Sequence, residues 1–314
     1  MKEVNILLLG AGKRVSFARH LKNEAENRGL LLKIYSYELD YTVPIACEAE
    51  VVIGKKWSDK DILEDIEFYI GKYSIDMVLP FVDPATLVAA DLKERGNTSA
   101  VIPVSNRLEA EVFFDKGKAS HWFSENNIQH PKESLSPPLI IKPIFGSASK
   151  GIVFIDNEDD LNNYSASLKT NSYICEKRIY GIEYTVDAYI WNEELIYCVP
   201  RKRVETSGGE STKTVTCRKP NVTELVSDIA LKSNLNGPIT LQFIEEELTS
   251  EVYFFEINPR FGGAVICSIG AGVNIPKILI DTILGEQIVP VDNWSDGLMM
   301  SRYFSEVFIN ADDY

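Results

Sequence analysis

The sequence predicts an α/β protein, with an N-terminal Rossmann-like parallel-sheet domain followed by a two-lobed α+β module, over 314 residues. Three observations predict it. Residues 1–106 alternate short apolar runs with helical stretches, residues 107–176 place strands around a Gly/Ser-rich loop, and residues 177–314 hold a hairpin whose second strand ends in a carboxylate, an amide and a guanidinium. A hydrophobic content of 45% and a charged content of 25% are those of an ordinary folded protein, and a chain of this length has ample material for two or three cores.

In the first region, strands are expected at 6–9, 32–37, 51–53, 77–81 and 100–104, with helices near 15–27, 60–72 and 85–95. Strands separated by helices of this length make a parallel sheet with right-handed crossovers. The Gly10-Ala11-Gly12 turn after the first strand invites a dinucleotide reading, but Val15 stands where the third glycine of that fingerprint belongs. An NAD-dependent oxidoreductase is therefore a distant alternative. Lys13 and Arg14 open the following helix, where backbone N–H groups favour an anion such as a substrate carboxylate. Asp83 closes another strand, where ligands sit in open α/β sheets. For both positions, simple helix capping or a solvated basic end is an equal reading.

The pattern changes near Asn106. A helix over about 107–125 leads through a proline-bearing loop to a strand at 139–143, the loop from Ile144 to Gly151, a strand at 152–155, a helix near 158–168 and a strand at 172–176. Two strands joined by a loop rich in Gly and Ser can lower N–H and hydroxyl donors over a phosphate while Lys142 supplies charge, and a flexible surface turn would look similar. The segment 173–187 joins this lobe to the last region. Its strand edge could offer backbone groups to adenine and carboxylates to amino or ribose groups, the alternative being solvated charges that guard an edge.

In the last region, successive strand residues point to opposite sides, so Glu256, Asn258 and, past Pro259, Arg260 project over one surface. An upstream strand from Pro238 to Ile244 can set Gln242 opposite Glu256. Carboxylate and carboxamide oxygens suit a hard cation such as Mg²⁺, and a guanidinium suits the phosphates that accompany it. A surface ion pair beside an Asn-Pro turn is the plainer reading of the same residues.

The formal charge of −14 excludes a broad polyanion-binding surface, so no nucleic-acid partner is expected and any phosphate must be bound locally. Five cysteines with no Cys-x-x-Cys pair argue for reduced thiols, and the three histidines are too scattered to form a ligand set. The apolar run before Gly10 is too short for a signal-peptide core or a membrane span, and no later one is long enough. A cytoplasmic protein without a membrane partner is expected.

Taken in chain order, several of these pieces resemble the ATP-grasp superfamily, and within it a short, single synthetase unit of the carbamoyl-phosphate-synthase-like branch. The residues that carry the resemblance are Ile6 to Gly12, Asp115-Lys116 opening a helix toward Asn127 and Pro131, Lys142-Pro143 with the Gly146–Gly151 loop, Glu176 to Glu183, and Gln242 with Glu256-Ile257-Asn258-Pro259-Arg260. The resemblance implies a pre-ATP-grasp domain over 1–106, a small lid lobe over 107–176 and a large metal-binding and substrate lobe over 177–314. It implies ATP and Mg²⁺, two ions with Mn²⁺ admissible in their place. Lys116 and Lys142 would contact the phosphates under a lid that includes Ser147, Ser149 and Gly151. Glu176, Lys177 and Ile179 would line the adenine pocket, with Glu183 on the ribose. Gln242, Glu256 and Asn258 would hold the metal, and Arg260 would stabilise the transferred phosphoryl group. Arg203 and Lys213, in a basic run from Arg201 to Lys213, would cover the reaction centre. Gln242 stands where many such ligases carry an acid, which should weaken a second metal site. The implied activity is a carboxylate–amine ligase working through an acyl phosphate on small-molecule carboxylate and amine substrates, with homodimerisation left open. A catalytically silent ATP-binding sensor of the same fold is the alternative.

Overall fold

The computed structural model describes residues 2–146, 150–164 and 172–310. Its first sheet is parallel, with strands β1 (Glu3–Leu9), β2 (Leu31–Glu38), β3 (Glu50–Ile53) and β4 (Met77–Pro80) in the order β3-β2-β1-β4. The central strand reads as an unbroken apolar run because both its faces are covered. Ile6 and Leu8 pack on Phe17, Ala18 and Leu21 of α1 (Val15–Asn27), whereas Leu7 and Leu9 pack on Ile66 of α2 (Ile62–Lys72) and Ala85 and Ala89 of α3 (Asp83–Arg95).

The strand expected at 100–104 shrinks to one bridge, Val101 with Met77. Pro103 has no N–H to extend the ladder. Its carbonyl instead presses on Gly237, where a Cβ would lie 2.0 Å from it. The helix expected over 107–125 is two helices, α4 (Arg107–Phe114) and α5 (Lys116–Glu125). Asp115 takes an extended conformation between them and its carboxylate accepts the Lys118 N–H, capping the second helix and leaving Lys116 in its first turn.

A second sheet is small and antiparallel, with β5 (Leu139–Pro143) between β6 (Val153–Ile155) and β7 (Tyr173–Lys177). A third is large and antiparallel: β8 (Gly181–Trp191), β9 (Glu194–Ser207), β10 (Glu210–Thr216), β11 (Gly237–Glu246), β12 (Val252–Asn258) and β13 (Met299–Ser301), in the order β12-β11-β8-β9-β10-β13. One face of it buries Val186, Ile239, Leu241, Phe243 and Phe254 against α4, α5 and α7 (Pro220–Lys232). Along its other face, Tyr189, Tyr197 and Val199 join Ile6, Leu8 and Phe17 and the helix α9 (Ile275–Leu284) in one continuous core. The first sheet is thereby seated firmly on the third. Among the described residues no helix is long and apolar enough to cross a membrane.

Candidate active site

β11 buries Ile239, Leu241 and Phe243 and turns Thr240, Gln242 and Ile244 the other way, as alternation requires. β12 needs a correction to its phase. Val252 and Phe254 point into the core, and strict alternation would send Glu256 after them. Gln242 instead pairs with Glu256 and Phe243 with Phe254, so Phe255 is an extra residue. That bulge restores Ile257 to the core and brings Glu256 and Asn258 to the face shared with Gln242. The row continues across the sheet through Thr185 of β8 to Arg201 of β9.

Glu256 accepts an amide N–H on each oxygen, from Gln242 at 3.0 Å and from Asn258 at 3.0 Å. The amide oxygens face arginines, with Arg203 Nη1 3.3 Å from Gln242 Oε1 and Arg260 Nη2 3.5 Å from Asn258 Oδ1. Arg260 is fixed on both sides. Its backbone carbonyl accepts from Thr240 Oγ1 at 2.8 Å, its guanidinium pairs with Asp83 at the start of α3, and the next residue, Phe261, stacks into Phe17 and Phe81. Among the described residues no group of three or more His, Cys, Asp or Glu could hold a metal ion, so a cation here would depend on carboxamide oxygens as well as on Glu256. The donor types fit Mg²⁺, which takes oxygen ligands and keeps waters around one or two carboxylates, provided both amides turn their oxygens from the arginines toward Glu256.

Two clefts meet at Gln242 and Glu256, which line both. The first, about 400 Å³, runs between the small and large sheets. Lys116, Lys142 and Lys150 give it positive charge, and Ile140, Ile152, Phe154, Ile179 and Ile244 give it apolar walls. Lys116 Nζ donates to the Gly146 carbonyl at 2.9 Å, tying α5 to the start of the Gly/Ser loop. Gly151 has φ +75°, and a Cβ there would sit 3.0 Å from Pro143, so the far end of the loop requires glycine. Ser147 and Ser149 lie outside the described residues.

Lys142 is 5% exposed, with Nζ 2.6 Å from Glu176 Oε2 and 5.2 Å from the Phe255 ring centroid. Glu176 is 3% exposed and is not among the residues lining the cleft. The family resemblance implies a place for it beside adenine, but the structure puts it behind Lys142 as a counter-charge. Lys177 and Ile179 do line the cleft, but the Lys177 and Arg178 N–H groups donate to Lys132 and Pro138 carbonyls and are not free strand-edge donors. Glu183 lies on the cleft wall with an oxygen 3.0 Å from Arg203 Nε. Burial pushes its carboxyl pKa up, Arg203 pulls it down, and Glu256 pushes it up again.

The second cleft, about 280 Å³, is more polar and is lined by Arg14, Asp83, Thr185, Arg203, Glu210 and Arg260, among others. Arg14 and Asp83 each had an equal reading as helix-end residues, and Glu210 had none as a site residue. Arg14 and Glu210 meet across 196 positions of sequence, a juxtaposition that no local pattern contains. Lys213 does not join them. It lines neither cleft and pairs with Glu205 at 3.3 Å, because a register shift between Ser211 and Lys213 carries it out of phase. The Gly10–Gly12 turn is not set up for a dinucleotide, since the Glu38 carboxylate at the end of β2 accepts the Ala11 and Gly12 N–H groups that a pyrophosphate would need.

A nucleotide-sized cleft between a small and a large antiparallel sheet, preceded by a parallel-sheet domain, is the ATP-grasp architecture. The matches that follow support an ATP-grasp superfamily member. The family described as "ATP-grasp in the biosynthetic pathway with Ter operon" matches residues 169–303. The carbamoyl phosphate synthase large chain of Clostridium perfringens is 27% identical over 256 residues, which is 72% of this chain and 23% of that protein. The chain thus spans about a quarter of the length of that relative. The D-alanine–D-alanine ligase of Rickettsia canadensis is 25% identical over 276 residues, 75% of each chain. In fold, the chain is similar to the biotin carboxylase domain dimer of Hydrogenobacter thermophilus 2-oxoglutarate carboxylase, a complex with MgADP and bicarbonate. The TM-score is 0.71 at 16% identity, covering 90% of this chain and 70% of that one.

Proposed function

We propose that the protein is an ATP-dependent carboxylate–amine ligase that works through an acyl phosphate and releases ADP and phosphate. The observation that carries this reading is that Gln242 and Glu256 line both clefts, so a triphosphate in the first would present its terminal phosphate where the second begins. Within residues 107–176 the small sheet acts as the lid, while α4 and α5 stay packed on the large sheet, with adenine against Ile140, Ile152, Ile179 and Ile244, the ribose near Glu183, and the phosphates at Lys116, Lys142 and Lys150. Glu256, with the carboxamide oxygens of Gln242 and Asn258, would hold Mg²⁺, whose charge would screen that of the triphosphate. Arg203 and Arg260 flank these amides and face the phosphoryl group in transfer.

A substrate carboxylate oxygen attacks the γ-phosphorus, the bond to the β–γ bridging oxygen breaks, and ADP leaves. An amine nitrogen then attacks the acyl carbon, the carbon–oxygen bond to phosphate breaks, and the amine loses a proton as the amide forms. Closure of the small sheet over the cleft keeps water from the acyl phosphate and strengthens each charge interaction inside. The relatives named as a ligase and as a carbamoyl phosphate synthase chain support this reaction class. The experiment is a screen of small carboxylates and amines for phosphate release from Mg·ATP, repeated with an ¹⁸O-labelled carboxylate. One ¹⁸O atom should appear in the released phosphate. Amide formation with unlabelled phosphate would contradict the acyl-phosphate route.

A further inference from the structure

Glu256 apart, whose carboxylate is held by the two amides, the charged groups of the second cleft pair one to one except at one corner. Arg260 pairs with Asp83, Arg203 with Glu183, and Arg201, 1% exposed, is held bidentate by Asp187 at 2.7 and 2.8 Å. At the remaining corner two guanidiniums converge on one carboxylate. Arg14 Nη2 lies 3.0 Å from Glu210 Oε1, and Arg302 Nη1 lies 2.7 Å from Oε2. Both arginines also point a nitrogen at the Gly263 carbonyl, Arg14 at 3.5 Å. The corner therefore carries two positive charges against one negative.

Its shape matches its charge. A Cβ at Gly263 would fall 2.2 Å from the Glu210 carboxyl carbon, so the glycine leaves room for a carboxylate at that spot. The occupant is not deeply locked in, since the Glu210 side chain is 41% exposed. It follows Gly208 and Gly209, both at positive φ, at the turn between β9 and β10, where the backbone has the freedom to reposition it. The three charged groups come from the start of α1, the β9–β10 turn and the segment after β13, and the start of α1 is carried to this corner by the packing of Phe17 on Phe261.

We propose that Arg14 and Arg302 form an anion subsite for one of the two substrates, which brings a carboxylate or phosphate that does not react. Glu210 is the resident counter-ion that this group displaces. The inference rests on the ligase reading only for the identity of the reacting group. Two guanidiniums offer forked donors that suit the oxygens of either anion. Arg14, Glu210 and Gly263 line the same cleft as Glu256 and Arg260, and Arg302 reaches Glu210 from outside that lining, so the handle would orient the reacting carboxylate or amine toward the phosphoryl group.

The test is calorimetric titration of the full chain with Mg·ADP present, using matched probes that differ in one anionic group: succinate against propionate, phosphoglycolate against glycolate, and alanine against ethylamine. At least one pair should show a preference of tenfold or more for the member with the additional anion. Arg14→Ala and Arg302→Ala should each abolish that preference without changing ADP affinity, Arg14→Lys should restore part of it, and Glu210→Gln should increase it. The pair that responds distinguishes a carboxylate handle from a phosphate handle and the donor from the acceptor. Equal binding within every pair, or a preference that survives in both alanine variants, overturns the proposal. Because the readout is binding, the outcome is decided even if no compound supports phosphate release, which would count against the ligase reading alone.

Discussion

The two sheets that face each other across the nucleotide-sized cleft are built to different standards. In the small sheet, Leu139, Ile141 and Ile155 are the buried core among the described residues, helped by half-buried neighbours such as Val153 and Leu161. The large sheet buries Val186, Ile239, Leu241, Phe243, Phe254 and Ile257 under three helices and shares a second core with the parallel domain. Few buried contacts mean a low cost of local opening, so one wall of the cleft can move while the other holds its side chains still. The groups that need fixed geometry, Gln242, Glu256, Asn258 and Arg260, all stand on the rigid side or just past its last strand. Lys116 and Lys142, which under the proposed function need only reach a phosphate, stand on or beside the small sheet.

The sharpest break in this contrast is Glu256→Ala. It removes the group where both clefts meet and no core contact, so substrate-stimulated phosphate release should fall by about 10²–10³ or more. A melting temperature within a few degrees of wild type, read by calorimetry, should accompany that loss. Full turnover in the variant would remove Glu256 from the mechanism.

Next come matched core truncations, each expected to cost about 2–5 kcal/mol where it acts. Phe254→Ala should lower the main unfolding transition, because the large sheet is the cooperative core. Ile141→Ala should leave that transition nearly in place while speeding hydrogen exchange in β5–β7 and weakening ATP binding. Equal loss of global stability in both variants would show that the sheets unfold as one unit.

Smaller again is Lys142→Ala, predicted to raise the ATP Kd by about ten- to a hundredfold, in line with roughly 1.5–3 kcal/mol for a hydrogen bond to a charged group. Part of any folding cost comes from leaving Glu176 buried without its counter-charge. The double variant Lys142→Ala/Glu176→Gln should regain stability but not ATP affinity. Recovery of both would make Lys142 purely structural.

The smallest effect concerns Glu210. Burial pushes its carboxyl pKa up, but Arg14 and then Arg302 outweigh this and hold it at about 2, below its ordinary 4.5. A depressed folded pKa gives stability that is present above the unfolded value and lost as pH falls through the folded one. Wild type and Glu210→Gln should therefore differ most above pH 4.5 and converge as pH falls toward 2, measured by denaturant unfolding. A difference independent of pH would mean that the pair contributes packing and not charge.

Much of this was legible in the chain. The alternation of short apolar runs with helical stretches over residues 1–106 announced the parallel sheet, and the Gln242–Glu256 pairing followed from a hairpin with a polar turn. Local rules failed where a local pattern was interrupted. The Phe254-Phe255 doublet hides a bulge without which Glu256 would face the core, and Pro103 stopped a strand that its apolar neighbours suggested. Contacts between remote segments were out of reach. Glu176 behind Lys142 spans 34 positions, and the Arg14–Glu210–Arg302 corner joins three regions that no single window contains.

A crystal structure with Mg²⁺ and a non-hydrolysable ATP analogue is the most direct test of the account. It should show the nucleotide between β5–β7 and the large sheet, with the terminal phosphate within reach of Lys142 and Arg260 and the metal on Glu256. A nucleotide bound elsewhere, or a metal that leaves Glu256 with its two amide donors and no cation contact, would contradict it.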